Sequence, residues 1–187
     1  VFNATSIYKA ITLRGAGSYF DSESGTETTE IRGDFFINEG DSINNFTFEG
    51  IRFLGHIKPN GHIVKPQFIK CRLAYMPYNG DNRLNDATFL HCVILGYYGS
   101  FKGTATFINS IIYRLTIYSE VENSTECINC RIYGDISSIY NSVLRNCVVL
   151  NCGSTSSLTV SFSEKLPSSC RAYNCVGSTG STFSNSV

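Results

Sequence analysis

The sequence predicts an all-β protein, a right-handed parallel β-helix of about eight to nine turns with roughly 17–21 residues per turn. Three observations predict it. A short apolar segment recurs at a nearly fixed interval, one column inside that segment is filled by glycine and then asparagine, and the composition favours strands. Phe and Tyr are abundant, Trp is absent, Val, Ile and Thr recur throughout, and only 16% of residues are charged.

The recurring segment starts at Leu13, Ile31, Phe48, Phe68, Phe89, Phe107, Cys127 and Leu144, with a weaker last copy at Ala172. The first eight starts are separated by 18, 17, 20, 21, 18, 20 and 17 residues. Column one is apolar, as an inward side chain stacked on its neighbours must be. Column three reads Gly15, Gly33, Gly50, Lys70, His91, Asn109, Asn129, Asn146 and Asn174. Gly and Asn tolerate the left-handed backbone region best, so this column marks a tight bend between two strands. Column four is small, with Cys71, Cys92, Ser110, Cys130, Cys147 and Cys175, and suits a crowded position inside the bend. Column six returns to apolar residues, which continues the alternation along the next strand.

A helical reading fails. The apolar residues alternate or run continuously, β-branched residues and Gly interrupt every candidate helix, and helix-pair repeats need about 33–45 residues per unit. A β-sandwich is the second choice of fold, but it leaves the Gly/Asn column unexplained.

Ile11-Thr12-Leu13-Arg14-Gly15-Ala16-Gly17, then Thr29-Glu30-Ile31-Arg32-Gly33, and the Asn-Cys pairs at 129–130, 146–147, 151–152 and 174–175 carry a resemblance. In them the chain resembles the pectin-lyase-like superfamily of right-handed parallel β-helix proteins. The resemblance implies architecture over nearly the whole chain. That superfamily includes polysaccharide lyases, glycoside hydrolases, phage tailspikes and surface proteins without known activity, so it does not choose among functions.

The length suits a single β-helix domain over residues 1–187, read as a piece of a longer surface protein. Fifteen basic and fifteen acidic residues balance, which argues against nucleic acid as a partner, since that binding draws on a basic surface. No run of about 18 apolar residues supports membrane insertion. The expected location is extracellular or at the cell surface, any export segment lying outside this chain. Neither end carries a strong apolar cap, and open strand edges invite pairing. Adjoining sequence or self-association is therefore expected to cover them.

Catalytic groups are hard to find. Hydrolysis needs two placed carboxylates, and the Asn-Thr-Asp, Asp-Asp, Gly-His-Gly and Arg-Ile-Lys blocks of polygalacturonase-like enzymes do not occur. The Arg-x-Pro-x-x-Arg block of pectate-lyase-like enzymes is missing too. Gly55-His56 and Gly61-His62 read as a surface loop, and Glu23, Glu27 and Glu30 as a solvated one. Three Asn-x-Ser/Thr matches (Asn3, Asn45, Asn123) carry little weight in so Asn- and Thr-rich a chain. Of the eight cysteines, Cys127-x-x-Cys130 could be half a zinc site, completed by Cys147 with Cys152 or by Cys170 with Cys175. Most of the cysteines, however, sit in one inward column as small fillers. No metal and no cofactor is expected, and any disulfide is confined to a bridge such as Cys152–Cys170.

The suggestive surface is column five, outward after the bend, with Arg52, Arg72 and Arg131 interrupted by Val93 and Ile111. Column seven adds Tyr113 and Tyr133 on consecutive turns. Guanidinium groups beside stacked rings suit polysaccharide, whose sugar faces pack on Tyr and whose oxygens accept from Arg. The plainer reading is a ladder that merely covers the sheet. The expectation is a structural or carbohydrate-binding module that is not an enzyme. The alternative is a polysaccharide lyase or glycoside hydrolase whose catalytic groups escape motif reading.

Overall fold

The computed structural model describes residues 11–17, 28–38, 43–60, 63–75, 84–95, 101–102, 104–116, 124–139 and 142–150. It also describes the strands Thr159–Phe162, Arg171–Tyr173, Val176–Gly177 and Thr182–Phe183. Among these residues there is no helix, and every strand pairing is parallel. The chain is a parallel β-solenoid.

Three sheets line the coil. The first runs through Thr12–Arg14, Thr47–Glu49, Gln67–Ile69, Thr88–Leu90, Thr104–Ile108, Ser124–Ile128, Ser142–Arg145 and Arg171–Tyr173. The second follows it around a bend and includes Thr29–Ile31, Ile51–Phe53, Arg72–Leu73, Val93–Ile94, Ile111–Thr116, Arg131–Ile139 and Val148–Leu150. The third precedes the first and joins Ile43–Asn44, Ile63–Val64, Leu84–Asn85 and Phe101–Lys102. A short extra pair, Phe35–Asn38 with Ile57–Asn60, follows the second sheet in the early part.

The bend between first and second sheets falls where column three placed it. Gly50, Lys70, His91, Asn109, Asn129 and Asn146 all have φ between 50° and 64°. The amides from Gly50 to Asn129 still join the parallel ladder: Lys70 N–H donates to Leu90 O at 2.9 Å and Asn109 N–H to Ile128 O at 2.9 Å. The backbone therefore turns without orphaning its donors. The side chains stack as well, Asn129 Nδ2 donating to Asn109 Oδ1 at 3.3 Å.

Inside the bend the alternation holds. Column one gives Phe48, Phe68, Phe89 and Phe107, all 0% exposed, with rings stacked at centroid distances of 5.1, 4.8 and 4.8 Å. Column six gives Phe53, Leu73, Ile94, Ile112 and Ile132, equally buried. The two columns come from adjoining sheets and close one continuous core.

Column four is more than filler. Cys71, Cys92, Ser110, Cys130 and Cys147 are buried, and each donates to a first-sheet carbonyl one turn earlier. Cys92 Sγ reaches Phe68 O at 3.2 Å and Cys130 Sγ reaches Phe107 O at 3.3 Å. A thiol or hydroxyl there is small enough for the bend and can donate, which Ala cannot. Burial pushes the Cys92 thiol well above its ordinary range, and the Cys127 thiol beside it pushes Cys130 up to about 12. Thiolate is the form that alkylating reagents attack. The Cys71 thiol is instead lowered, chiefly by its hydrogen bond with Cys92, so burial is what protects the column as a whole. Cys71, Cys92, Cys130 and Cys147 should stay unmodified in the native protein and react fully once it is denatured, as site-resolved mass spectrometry would show. Rapid native labelling of all four would place this column outside the core.

The opening copies need correction. Ile31 pairs with Phe53 and Glu30 with Arg52, so Ile31-Arg32-Gly33 belongs to the second sheet and is not the second copy in the first. Leu13 pairs directly with Phe48. The misreading has a physical origin: an apolar residue followed two positions later by Gly marks the exit of either sheet, and Gly33 does carry a left-handed φ of 82°. Gly15 is not among the left-handed residues. It is glycine because a Cβ there would strike the carbonyl oxygen of Gly50.

A second bend was missed. Asn45, Lys65 and Asp86 join third to first sheet with φ of 58°, 53° and 52°. Its signal is present as Ile43-Asn-Asn-Phe-Thr-Phe48, Ile63-Val-Lys-Pro-Gln-Phe68 and Leu84-Asn-Asp-Ala-Thr-Phe89. The residue after each left-handed position (Phe46, Pro66, Ala87) is buried, and the next faces outward. Cys152, Cys170, Cys175, Glu23, Glu27, Gly61-His62, Asn3 and Asn123 lie outside the described residues.

Candidate functional site on the outer face of the second sheet

Strand alternation turns column five outward, and pairing stacks it in register: Glu30 beside Arg52, Arg52 beside Arg72, Arg72 beside Val93, Val93 beside Ile111, and Ile111 beside Arg131. Column seven lies two residues further along the same face. Its early members, Leu54, Ala74 and Leu95, continue the ladder through amide bonds to Ile31 O, Phe53 O and Leu73 O at 2.9–3.0 Å. Tyr113 and Tyr133 follow, with rings stacked at 4.8 Å and 12°.

All five residues singled out in the sequence, Arg52, Arg72, Tyr113, Arg131 and Tyr133, therefore share one face. They do not form one cluster. Arg52 and Arg72 are adjacent, whereas Arg131 stands three turns from Arg72, about 14 Å at the spacing of neighbouring strands. Val93, only 6% exposed, and half-buried Ile111 separate them. Arg131 sits instead with Tyr133, two residues along its own strand, and the neighbouring Tyr113.

Glu30, read from sequence as part of a solvated loop, is on the strand and completes the basic end. Its carboxylate takes Arg52 Nη1 at 2.8 Å and Arg32 Nη2 at 3.2 Å. Nothing in the sequence pairs Glu30 with Arg52, because the register of that first turn has to be known beforehand. Arg72 has no ion pair among the described residues. The Nε atoms of both Arg52 and Arg72 are buried without an acceptor there, so these two neighbouring arginines can offer only their terminal guanidinium nitrogens to an oxygen acceptor from solvent.

A second aromatic pair stands at the edge of the face. His56 stacks on Tyr75 at 4.6 Å, and Tyr75 is 50% exposed. Asp34 steadies this corner, accepting from the His56 amide at 2.9 Å and from Lys58 Nζ at 2.6 Å. The Lys58 ammonium holds its carboxyl below the usual carboxylate range. With Tyr113 and Leu95, these are apolar groups open to solvent on one side of the coil.

Among residues whose side chains are described, the carboxylates on and at the edge of this face are Glu30, held by two arginines, and Asp34, held by Lys58. That arrangement can bind anionic or hydroxyl oxygens and sugar faces. Cys127 and Cys130 lie in the core as free thiols, and no group of three metal-binding side chains occurs among the described residues. No helix is long and apolar enough to cross a membrane.

Fold and face together define a class, a parallel β-solenoid with an aromatic and arginine-bearing flank. Comparison of the chain with protein-family models, with curated proteins and with solved structures finds no match.

Proposed function

We propose that this solenoid is a non-catalytic carbohydrate-binding module of the cell surface or extracellular space, and that its ligand is an acidic polysaccharide. The observation that carries the reading is the adjacency of Arg52 and Arg72 on the face that also holds the Tyr113–Tyr133 stack. Side chains on such a face repeat every ~4.8 Å along the coil. That interval is close to one sugar residue of an extended chain, so successive turns can meet successive sugars. Carboxylates of the glycan would accept from Arg52, Arg72 and Arg131, while ring faces pack on Tyr113 and Tyr133. The same proposal takes the coil as right-handed, as nearly all parallel crossovers are. It also takes the coil as continuing for eight to nine turns in the manner of pectin-lyase-like proteins.

Titration calorimetry against polygalacturonate and against a neutral glucan tests this reading. The acidic polymer should bind, more weakly as salt rises, and Arg72→Ala should lose roughly tenfold or more in affinity. Tyr133→Ala should weaken binding without changing its salt dependence. Equal affinity for wild type and Arg72→Ala would move the site elsewhere. Appearance of unsaturated or reducing-end products during the titration would replace the binding module by a lyase or hydrolase.

A further inference from the structure

We propose that the outer face of the first sheet is a self-complementary surface on which two copies of this chain pair with their coils antiparallel. This face is separate from the sugar-binding flank and does not depend on that reading. Its outward column one residue before the bend runs Glu49, Ile69, Leu90, Ile108, Ile128 and Arg145 on successive turns. Four half-buried aliphatic side chains in an unbroken row are bounded by an acid at one end and a base at the other. The next outward column reads Gln67, Thr88, Thr106 and Glu126 over the four central turns. Pairing from Thr12 to Arg145 keeps register without a bulge, whereas the second sheet slips between Tyr113 and Leu115. Long, regular and apolar is the form of face that accepts another sheet.

The charge pattern selects the partner and its direction. A twofold axis lying along the strands, between Leu90 and Ile108, reverses the coil and sets like column over like. It then places Leu90 over Ile108 of the second copy, Ile69 over Ile128, and Thr88 over Thr106. Glu49 meets Arg145, and Gln67 meets Glu126. Over the central turns each apolar residue finds an apolar one and each charge an opposite charge or an amide, while at the rim Thr47 meets Val143. Within each copy Glu49 already pairs with Arg14 at 2.7 Å and Arg145 with Glu126 at 3.4 Å, so the junctions become four-charge networks. With the axis along the coil, the aliphatic column would either meet itself, setting Glu49 on Glu49 and Arg145 on Arg145, or meet its neighbour, pressing Ile69 onto Gln67 and Ile128 onto Glu126. The first pairs like charges and the second buries a carboxylate under a methyl group. Self-complementarity of this isologous kind is what a twofold dimer requires. A face about 30 Å long and one sheet wide puts the dimer among weak, concentration-dependent ones. It leaves both second-sheet flanks free, so two glycan-binding faces would act together.

Sedimentation velocity over a concentration series reads the association directly. Wild type should pass reversibly from monomer to dimer, and Leu90→Lys and Ile108→Glu should each remain monomeric while keeping native circular dichroism. An equimolar mixture of these two variants should recover the dimer, because Lys at 90 then faces Glu at 108. A mixture of Leu90→Lys with Leu90→Glu should not recover it. A wild type that stays monomeric to millimolar concentration overturns the proposal. So does dimerisation of both single variants at wild-type concentrations, and recovery by the second mixture but not the first overturns the antiparallel arrangement.

Discussion

Phe89→Ala is expected to destabilise the protein by about 3–5 kcal/mol, the largest single effect of any substitution considered. Phe89 is 0% exposed and its ring lies between Phe68 and Phe107, each at 4.8 Å and within 11° of parallel. Removing it withdraws apolar area, leaves a cavity, and ends two aromatic contacts at once. A solenoid cannot easily heal such a gap, since each turn packs only on the turns beside it. The strand also cannot move inward without breaking its ladder to both neighbours. Thermal denaturation should fall on the order of 10 °C, while Phe89→Leu, which keeps most of the volume, should cost under about 1.5 kcal/mol. If Phe89→Ala melted within a degree of wild type, the ring column would not be the core.

That ring column was legible because its cause is local. A side chain facing inward on every turn must be apolar, so Phe48, Phe68, Phe89 and Phe107 reveal the period by composition alone. The bend was legible for the same kind of reason, since only a few residue types tolerate left-handed φ. Ile31 was misplaced because the rule is shared by two sheets, and only long-range pairing with Phe53 distinguishes them. The second bend went unseen because it holds Asn45, Lys65 and Asp86, without one glycine to flag it. Lys65 in particular sits before Pro66, where sequence suggests extended backbone, yet its φ is 53°.

The candidate site was legible only as a direction. Alternation places Arg52, Arg72, Tyr113, Arg131 and Tyr133 on one outward face, and the pairing does stack them there. What alternation does not carry is the neighbourhood of each head group. Glu30 reaches Arg52 from the preceding turn across a long intervening segment, and His56 reaches Tyr75 from one turn to the next. Both contacts are set by how many residues each loop takes between fixed sheets. The column-four thiols show the same limit in the core. Their size was readable as filling, but their donation to Phe48 O, Phe68 O and Phe107 O appears only when one turn is laid on another.

The bend allows a pair of substitutions with opposite signs. Asn129→Val should cost about 1–3 kcal/mol, because a β-branched side chain is strained at positive φ. Asn129 has φ of 52°, and the change also removes the Nδ2 bond to Asn109 Oδ1. His91 occupies the same column two turns earlier, with φ of 53° and an exposed side chain. Asn is better suited than His to left-handed backbone and would extend the amide stack from Asn109 by one turn. His91→Asn should therefore raise stability by about 0.5–1 kcal/mol. Since neither substitution alters the buried columns, the sign difference reports the bend column, its left-handed backbone and its amide stack together, and not core packing. Chemical denaturation of both variants should show midpoints on either side of wild type, with unchanged slopes. Midpoints shifted the same way in both would mean that neither left-handed φ nor the amide stack is what selects asparagine there.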